Sequence, residues 1–294
     1  MQSLRAIDHV VLSVSGLDAA RARLGQLGFT VAPDAQHPFG TENACVFLAD
    51  GTYLEPLGVA SRETIEETAR QGNVFTARDQ AFRFRQGPEG MEALVFATTD
   101  AKADDAVFTA AGLSAGRILD FSRPFKLPDG TESEASFRLA FAADLRSPDF
   151  YAFTCQRINV PKADRSALTA HANGVTGLAG VTLVESNPSD FQYFLETVCG
   201  QRDVRAMSFG MALEAANATI SVLTPEGFER FYGRKHCGHA RGLRGRVVSF
   251  KVRSLTETAA LLGHNGMEHE TIGARLVVPQ AAGQGVHFSF EEQA

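Results

Sequence analysis

The chain contains no tryptophan, and its four cysteines include no Cys-x-x-Cys pair. Cys45, Cys155, Cys199 and Cys237 lie far apart, which fits reduced thiols rather than a disulfide framework. No stretch approaches the roughly 20 unbroken apolar residues of a membrane span. The start, MQSLRAIDHVVLSV, runs from Arg5 straight into strand-like alternation, without the apolar region and cleavage site of a signal peptide. The expected location is therefore the cytoplasm, with no membrane partner. Long basic runs are missing too. The 28 Lys plus Arg stand against 34 Asp plus Glu, a net charge of −6, which gives a phosphate backbone no support and excludes nucleic acid as a partner. The absence of Gly-x-Gly-x-x-Gly, Walker, Gly-x-Ser-x-Gly and heptad patterns leaves no expected nucleotide cofactor, hydrolase elbow or coiled coil.

What is present is length, a core and a repeat. At roughly 100–200 residues per domain, 294 residues with 44% hydrophobic content predict two domains. A strand, a short amphipathic helix leading to Gly, and two or three further strands recur four times. The first unit reads IDHVVLSV, a helix with Ala20, Leu24 and Leu27 before Gly28-Phe29, then ENACVFLAD and TYLEPLGV around the Asp50-Gly51 turn. The second runs from EALVFATT through a helix before Gly112-Leu113 to GRILDFS, ASFRLAFA and DFYAFTCQ. GLAGVTLVES and RVVSFKV open the third and fourth. The fold class is α+β, four βαβββ modules paired into two cup-shaped half-barrels with helices outside. The polar segment after Cys155 is the best boundary. It divides residues 1–160 (modules about 4–60 and 90–157) from 172–294 (modules about 176–233 and 243–292). The connection between the first two units is expected to hold a helix from Arg62 to Gln71.

On the first strand Val10, Leu12 and Val14 face the helix, so His9 shares the cup side with Val11 and Ser13. Tyr53, Glu55 and Leu57 share a face of the unit's last strand. With those strands adjacent, His9 and Glu55 both project into the cup, an imidazole and carboxylate suited to Zn²⁺, Fe²⁺, Mn²⁺ or Ni²⁺. The competing reading is a satisfied, half-buried His9, with Glu55 paired to an arginine such as Arg138.

The runs IDHVVLSVSGLDAARARLGQLGFTVAP and HPFGTENACVFLADGTYLEPLGV resemble the first module of the vicinal oxygen chelate superfamily, which includes glyoxalase I, extradiol dioxygenases and bleomycin resistance proteins. His37 with GTENA, YLEPL, SRPFKLPDGTESEASFRLAFA and HANGVTGLAGVTLV resemble its glyoxalase-like domain family. The resemblance covers nearly the whole chain. It implies paired modules that hold one divalent metal through first-strand and last-strand residues, here His9 and Glu55. Glu55 would double as the catalytic base. Alignment puts Ala93 opposite His9 and a residue near Phe153 opposite Glu55. In the second domain Gly180, Val247, Ser221 or Val222, and Ser289 fall at those positions, so that half carries no metal.

His37, Asn43, Arg123, Arg138 and His171 are the remaining candidates for contact with a substrate. The two histidines serve equally as turn caps, and Arg138 equally as a salt-bridge partner. Lys126 accompanies Arg123. His236, Cys237 and His239 in KHCGHA lack structural-zinc spacing and read as a surface loop. These expectations converge on a protein for a small oxygen-rich or carboxylated molecule, either a metal-dependent lyase, isomerase or dioxygenase-like enzyme or a metal-independent binding or resistance protein. A homodimer is compatible with both.

Overall fold

A computed structural model describes residues 4–126, 132–160, 164–236 and 240–292. The fourfold repeat is its architecture. Module one comprises β1 (Ile7–Ser13), α1 (Leu17–Gln26), β2 (Ala35–Gln36), β3 (Thr41–Asn43), β4 (Val46–Phe47) and β5 (Tyr53–Val59). The helices α2 (Arg62–Arg70) and α3 (Val74–Gln86) follow, then module two: β6 (Gly90–Thr98), α4 (Ala101–Ala110), β7 (Leu119–Lys126), β8 (Glu132–Ala142) and β9 (Tyr151–Asn159). Module three has β10 (Val175–Val184), α5 (Gln192–Cys199), β11 (Val204–Met207), β12 (Gly210–Glu214) and β13 (Thr219–Leu223). After α6 (Pro225–Tyr232), module four has β14 (Arg244–Val252), α7 (Leu255–His264), β15 (Glu270–Ile272), β16 (Arg275–Val278) and β17 (His287–Glu292). The helix expected from Arg62 is α2. The longer α3 and the cup-filling α6 were not anticipated, because their apolar residues serve a cup rather than a helix-side stripe.

Each module's first and last strands run parallel as neighbours, β1 with β5, β6 with β9, β10 with β13 and β14 with β17. The first strands of paired modules lie antiparallel at the centre, β1 with β6 and β10 with β14. A single pairing, Gly245 with Met91, joins the two halves' ladders. Strand alternation then sends one set of side chains toward the helices and the other into a cup. The helix-side faces of both halves merge into one core, with Val10, Leu24, Phe96 and Phe108 in the same cluster as Phe250, Phe288 and Phe290. Gly28, at φ +83°, turns the chain where a Cβ would strike Leu261 and Asn173, and Phe29 beyond it packs 5.2 Å from Phe250.

The cups hold separate clusters. Val11, Phe75, Val95, Phe141, Tyr151 and Phe153 fill much of the first, with Phe75 coming from α3. Phe228 and Tyr232 of α6 enter the second beside Val247 and Val277. Both inserted helices thus plug a cup. Among the described residues no helix is long and apolar enough to cross a membrane.

The register repeats in detail. A bulge leaves Asp8 without a partner between the pairs Ile7–Phe96 and His9–Val95, and Glu92 between Leu12–Met91 and Val11–Ala93. The same irregularity isolates Ala179 and Arg246 in the second half. Each bulge lies one residue before the cup-facing position held by His9, Ala93, Gly180 or Val247.

The start of β1 is held across the halves. Asn217 accepts the Ile7 amide at 2.8 Å and donates to the Ile7 carbonyl at 2.9 Å, in effect replacing a neighbouring strand. Arg5 donates to the carbonyls of Thr197 and Val198, each at 3.1 Å, and pairs with Asp104. Asn217→Ala is expected to lower unfolding stability by about 1–3 kcal/mol, the cost of leaving buried backbone groups unmet. Urea titration checks this, and an unchanged midpoint would mean that β1 is anchored elsewhere.

Candidate functional site

The bulge in β1 determines the local chemistry, because an extra residue in a strand re-aims its side chain. Asp8 and His9 are both buried in a strand that is otherwise apolar up to Ser13. Asp8 Oδ2 lies 2.8 Å from Nδ1 of His9, and its Oδ1 is 2.7 Å from Arg157 of β9. On the other side, Nε2 of His9 is 3.2 Å from Oε2 of Glu55. The imidazole is clasped between two carboxylates and stacks on Tyr53, ring centroids 4.3 Å apart.

Both nitrogens of His9 face acceptors, so both carry hydrogens. Burial by itself would lower the His9 pKa, but the hydrogen bonds and charges of Asp8 and Glu55 outweigh it and raise the value above 6.5. Glu55 mirrors this. Burial pushes its carboxyl up, yet the His9 hydrogen bond and charge, with help from His37 and Asn43, hold it at about 2. The geometry thus favours an imidazolium–carboxylate pair over two neutral groups.

Asn43 donates to Oε1 of Glu55 at 2.6 Å and lies 3.4 Å from Nε2 of His37. His37 therefore presents a lone pair there and donates from Nδ1 to Thr41 Oγ1 at 2.9 Å. Burial lowers its pKa to about 4, with Glu55 opposing and Arg123 and His9 assisting. It is neutral where His9 is charged.

These groups line one cavity of about 70 Å³. Phe39, Phe75, Phe121 and Phe153 supply aromatic walls, and Arg123, Arg157 and Arg165 bring positive charge. Arg165 lies 4.2 Å above the Phe47 ring. Arg123 lies 5.8 Å from the Phe137 ring centre, and its Nη1 is buried without a hydrogen-bond partner. Cys45 and Cys155 also line the cavity, but burial drives both thiols up, so neither is a thiolate.

The structure thus brings His9, Glu55, His37, Asn43 and Arg123 together. Arg138 and His171 stand elsewhere. Arg138 faces the helix side and pairs with Asp120 of β7 at 2.6 Å, because the apolar face of β8, with Phe137, Leu139 and Phe141, is itself the cup wall. His171 accepts from the Thr30 amide and donates to the Phe47 carbonyl, both at 3.0 Å, so it ties a loop at the junction of the halves. Asn173 holds the same junction through the Leu27 carbonyl at 2.8 Å. The side chain of Lys126, and Cys237 and His239 altogether, lie outside the described residues. Sequence reasoning missed Asp8, Tyr53, Arg157 and Arg165. The signal for Asp8 was two successive polar residues in an apolar strand, the mark of a bulge.

Register also fixes what faces the pair. His9 pairs with Tyr53 as Ala93 pairs with Tyr151, and two residues on stand Glu55 and Phe153. The aligned positions of the second module are therefore carbon only. Among the described residues no three His, Cys, Asp or Glu side chains form a metal-holding group. Nε2 of His37 is a third donor, 3.7 Å from Oε1 of Glu55, but His9, His37 and Glu55 are engaged with one another and with Asp8, Asn43 and Thr41 rather than grouped to hold a metal.

A second carboxyl pair closes the cup floor. Ser13 Oγ lies 3.0 Å from Glu92 and 3.5 Å from Asp79 of α3, and Arg83 binds Asp79 at 2.8 Å. Burial raises both carboxyls, Glu92 well above its ordinary range, so Glu92 is neutral.

A family model described as a glyoxalase-like domain matches residues 7–199. The chain belongs to the glyoxalase-like domain family. Solved structures place this glyoxalase-like protein in the vicinal oxygen chelate fold. A hypothetical protein from Staphylococcus aureus is 12% identical at a TM-score of 0.66, over 98% of this chain and 99% of that one. A variant of 4-hydroxymandelate synthase from Streptomyces coelicolor is 13% identical at 0.62, over 99% and 93%. The Mn(II)-bound glyoxalase from Novosphingobium aromaticivorans is 13% identical at 0.53, over 99% and 83%. No curated protein matches the sequence.

The two cup histidines are expected to titrate on opposite sides of 6.5 when followed by imidazole NMR, His37 near 4 and His9 above 6.5. Glu55→Gln should pull the His9 value down, and a wild-type His9 titrating below 6.5 would refute the ion pair. Stability should follow. Glu55 contributes stability that is complete above its ordinary 4.5 and is lost as pH falls toward 2. His37 takes its proton more readily unfolded, so stability also declines from 6.5 toward 4. The raised His9 acts oppositely, contributing below 6.5 and losing that contribution as pH rises through its folded value.

Proposed function

We propose that this glyoxalase-like protein captures a small molecule bearing a carboxylate beside a second oxygen, and moves a proton on it through His9 and Glu55. The observation that carries this reading is the buried imidazolium–carboxylate pair opening on a cavity where Arg123 offers an unpartnered guanidinium nitrogen. A substrate carboxylate satisfies that nitrogen with a charge-assisted hydrogen bond. Volume narrows the choice. At roughly 30 Å³ per water, about 70 Å³ holds two waters or a compound of a few heavy atoms.

The chemistry follows from the coupling of the pair. His9 delivers its Nε2 proton to the substrate's second oxygen, a carbonyl in a 2-oxo acid. At that moment Glu55 loses the imidazolium that holds its carboxyl at about 2, and its basicity rises. It then accepts the proton from the carbon beside the carbonyl. The C–H bond breaks, the C=C–OH of an enol forms, and no electrons leave the substrate. Asp8 keeps Nδ1 engaged throughout, so that Nε2 is the nitrogen that exchanges. The reaction class is isomerisation or lyase chemistry through an enol, run on protons rather than on a metal.

Pyruvate, lactate and malonate serve as probes, with binding followed at the His9 imidazole. Arg123→Ala should weaken whichever binds by roughly 10- to 150-fold, the loss of about 1.5–3 kcal/mol from a charged hydrogen bond. Equal affinity would remove Arg123 from the site. Protein purified without a tag or chelator should hold well below one equivalent of transition metal. A full equivalent, lost on His9→Ala, would overturn the proton mechanism.

A further inference from the structure

We propose that the second cup is also a ligand site, and that it takes an uncharged, hydroxyl-rich small molecule. The register assigns the correspondence. Gly180 pairs with Thr219 as His9 pairs with Tyr53, and Thr182 pairs with Ser221 as Val11 pairs with Glu55. Gly180 thus occupies the place of His9, and Ser221 that of Glu55. A cavity of about 260 Å³ lies at this homologous position, lined by Gly180, Ser221 and their neighbours. At about 30 Å³ each it has room for roughly eight waters, far more than the first cup offers.

Its lining inverts the first cup's chemistry. No histidine is accommodated at Gly180, since a Cβ there would come 2.3 Å from the Thr219 carbonyl oxygen. Where the first cup has Val11 and Val95, this one has Thr182 and Ser249, paired with opposite ends of the same two-strand centre. Thr182 and Tyr232 hydroxyls bond each other at 2.8 Å. Ser249 is only 5% exposed, and among the described residues neither its hydroxyl nor that of Ser221 has a protein hydrogen bond. Ser289, the position equivalent to Phe153, carries a buried, unpartnered hydroxyl but is not among the residues that line the cavity. Ser221 and Ser249 line the cavity, and hydroxyls without a protein partner there are met by water or by a ligand.

Charge decides the ligand class. The cationic Arg275 is met at 3.4 Å by Glu291 and lies 5.2 Å from the Tyr232 ring centre. Arg205 faces Glu214 at 3.7 Å. Arg205 and Arg275 are the cations among the described lining residues, and each has a carboxylate within 4 Å, whereas a guanidinium nitrogen of Arg123 in the first cup is unpartnered. Hydroxyl donors and acceptors, two arginines each met by a carboxylate and the partly exposed Phe231 ring fit a polyol of monosaccharide size.

The test uses the full chain, with ¹⁵N–¹H spectra recorded during titration by myo-inositol, by glucose and by malonate. One of the two polyols should give saturable shifts at the amides of Gly180, Thr182, Ser221 and Ser249, with malonate silent there. Ser221→Ala combined with Ser249→Ala should weaken that binding roughly tenfold or more, in a protein whose spectrum stays dispersed. Arg123→Ala, which acts on the first cup, should leave it unchanged. Absence of saturable shifts with both polyols to about 100 mM, a value weaker than any useful recognition, would overturn the proposal. Shifts from malonate alone, or equal binding by the double variant, would do the same. None of these outcomes depends on the first cup's reading, which is followed at His9.

Discussion

The antiparallel pairing of first strands, with a bulge one residue before the central cup position, is the constraint from which both cups follow. A strand's period of two would send neighbouring residues to opposite faces. A bulge relaxes that rule in every module, at Asp8, Glu92, Ala179 and Arg246, with a further shift at Thr176 in the third. In module one it allows two consecutive polar residues to act on the same side. Without it Asp8 would be forced toward the apolar helix layer, and His9 would have one carboxylate rather than two.

Two carboxylates explain how a cup lined by so many phenylalanines tolerates charge. A buried ion costs several kcal/mol unless its partners are close and its remaining hydrogen bonds are met. Here every member of the chain from Arg157 through Asp8, His9 and Glu55 to Asn43 has a partner within 3.2 Å. Among the described buried polar atoms of the cavity lining, Arg123 Nη1 lacks one. Polar satisfaction thus separates what the fold consumes from what it leaves for a ligand. The floor pair takes a different route: Glu92 has no histidine beside it, because Ala93 stands there, and so it is neutral rather than ion-paired.

How much of this was legible depended on whether a feature is local. The modules, their glycine-terminated helices and the facing of His9 and Glu55 follow from alternation and caps within about 60 residues. Aligning Ala93 with His9 and Phe153 with Glu55 also agreed with the strand register. Arg138 alternates with Phe137, Leu139 and Phe141, and because that bulky apolar face is the cup wall the arginine points away from it, a choice of side that the alternation alone does not make. His171 looked like a site residue because its loop does lie close to module one, but at the backbone of Thr30 and Phe47. Arg157 shares the alternation of Tyr151, Phe153 and Cys155 near the end of β9 and was readable from it, whereas Arg165 lies beyond the strand, where no period links it to the cup.

The inserted helices complete the contrast between the halves. Open half-barrels of this kind would expose their apolar interiors, and each half closes its cup with a helix that follows its first module. In the first, α3 brings Phe75 into the wall and ties itself to the floor through Asp79, Ser13 and Arg83. Those buried hydrogen bonds anchor the plug, and its Phe75 joins the aromatic residues that fill much of the cup. In the second, α6 inserts Phe228 and Tyr232 and is tied to the sheet by the Tyr232–Thr182 hydroxyl pair and by Arg275 against the Tyr232 ring. A lighter plug leaves the larger cavity. Duplication supplied one frame twice, and the side chains at equivalent cup positions, charged and aromatic in one and hydroxylated in the other, divided it between two ligand chemistries.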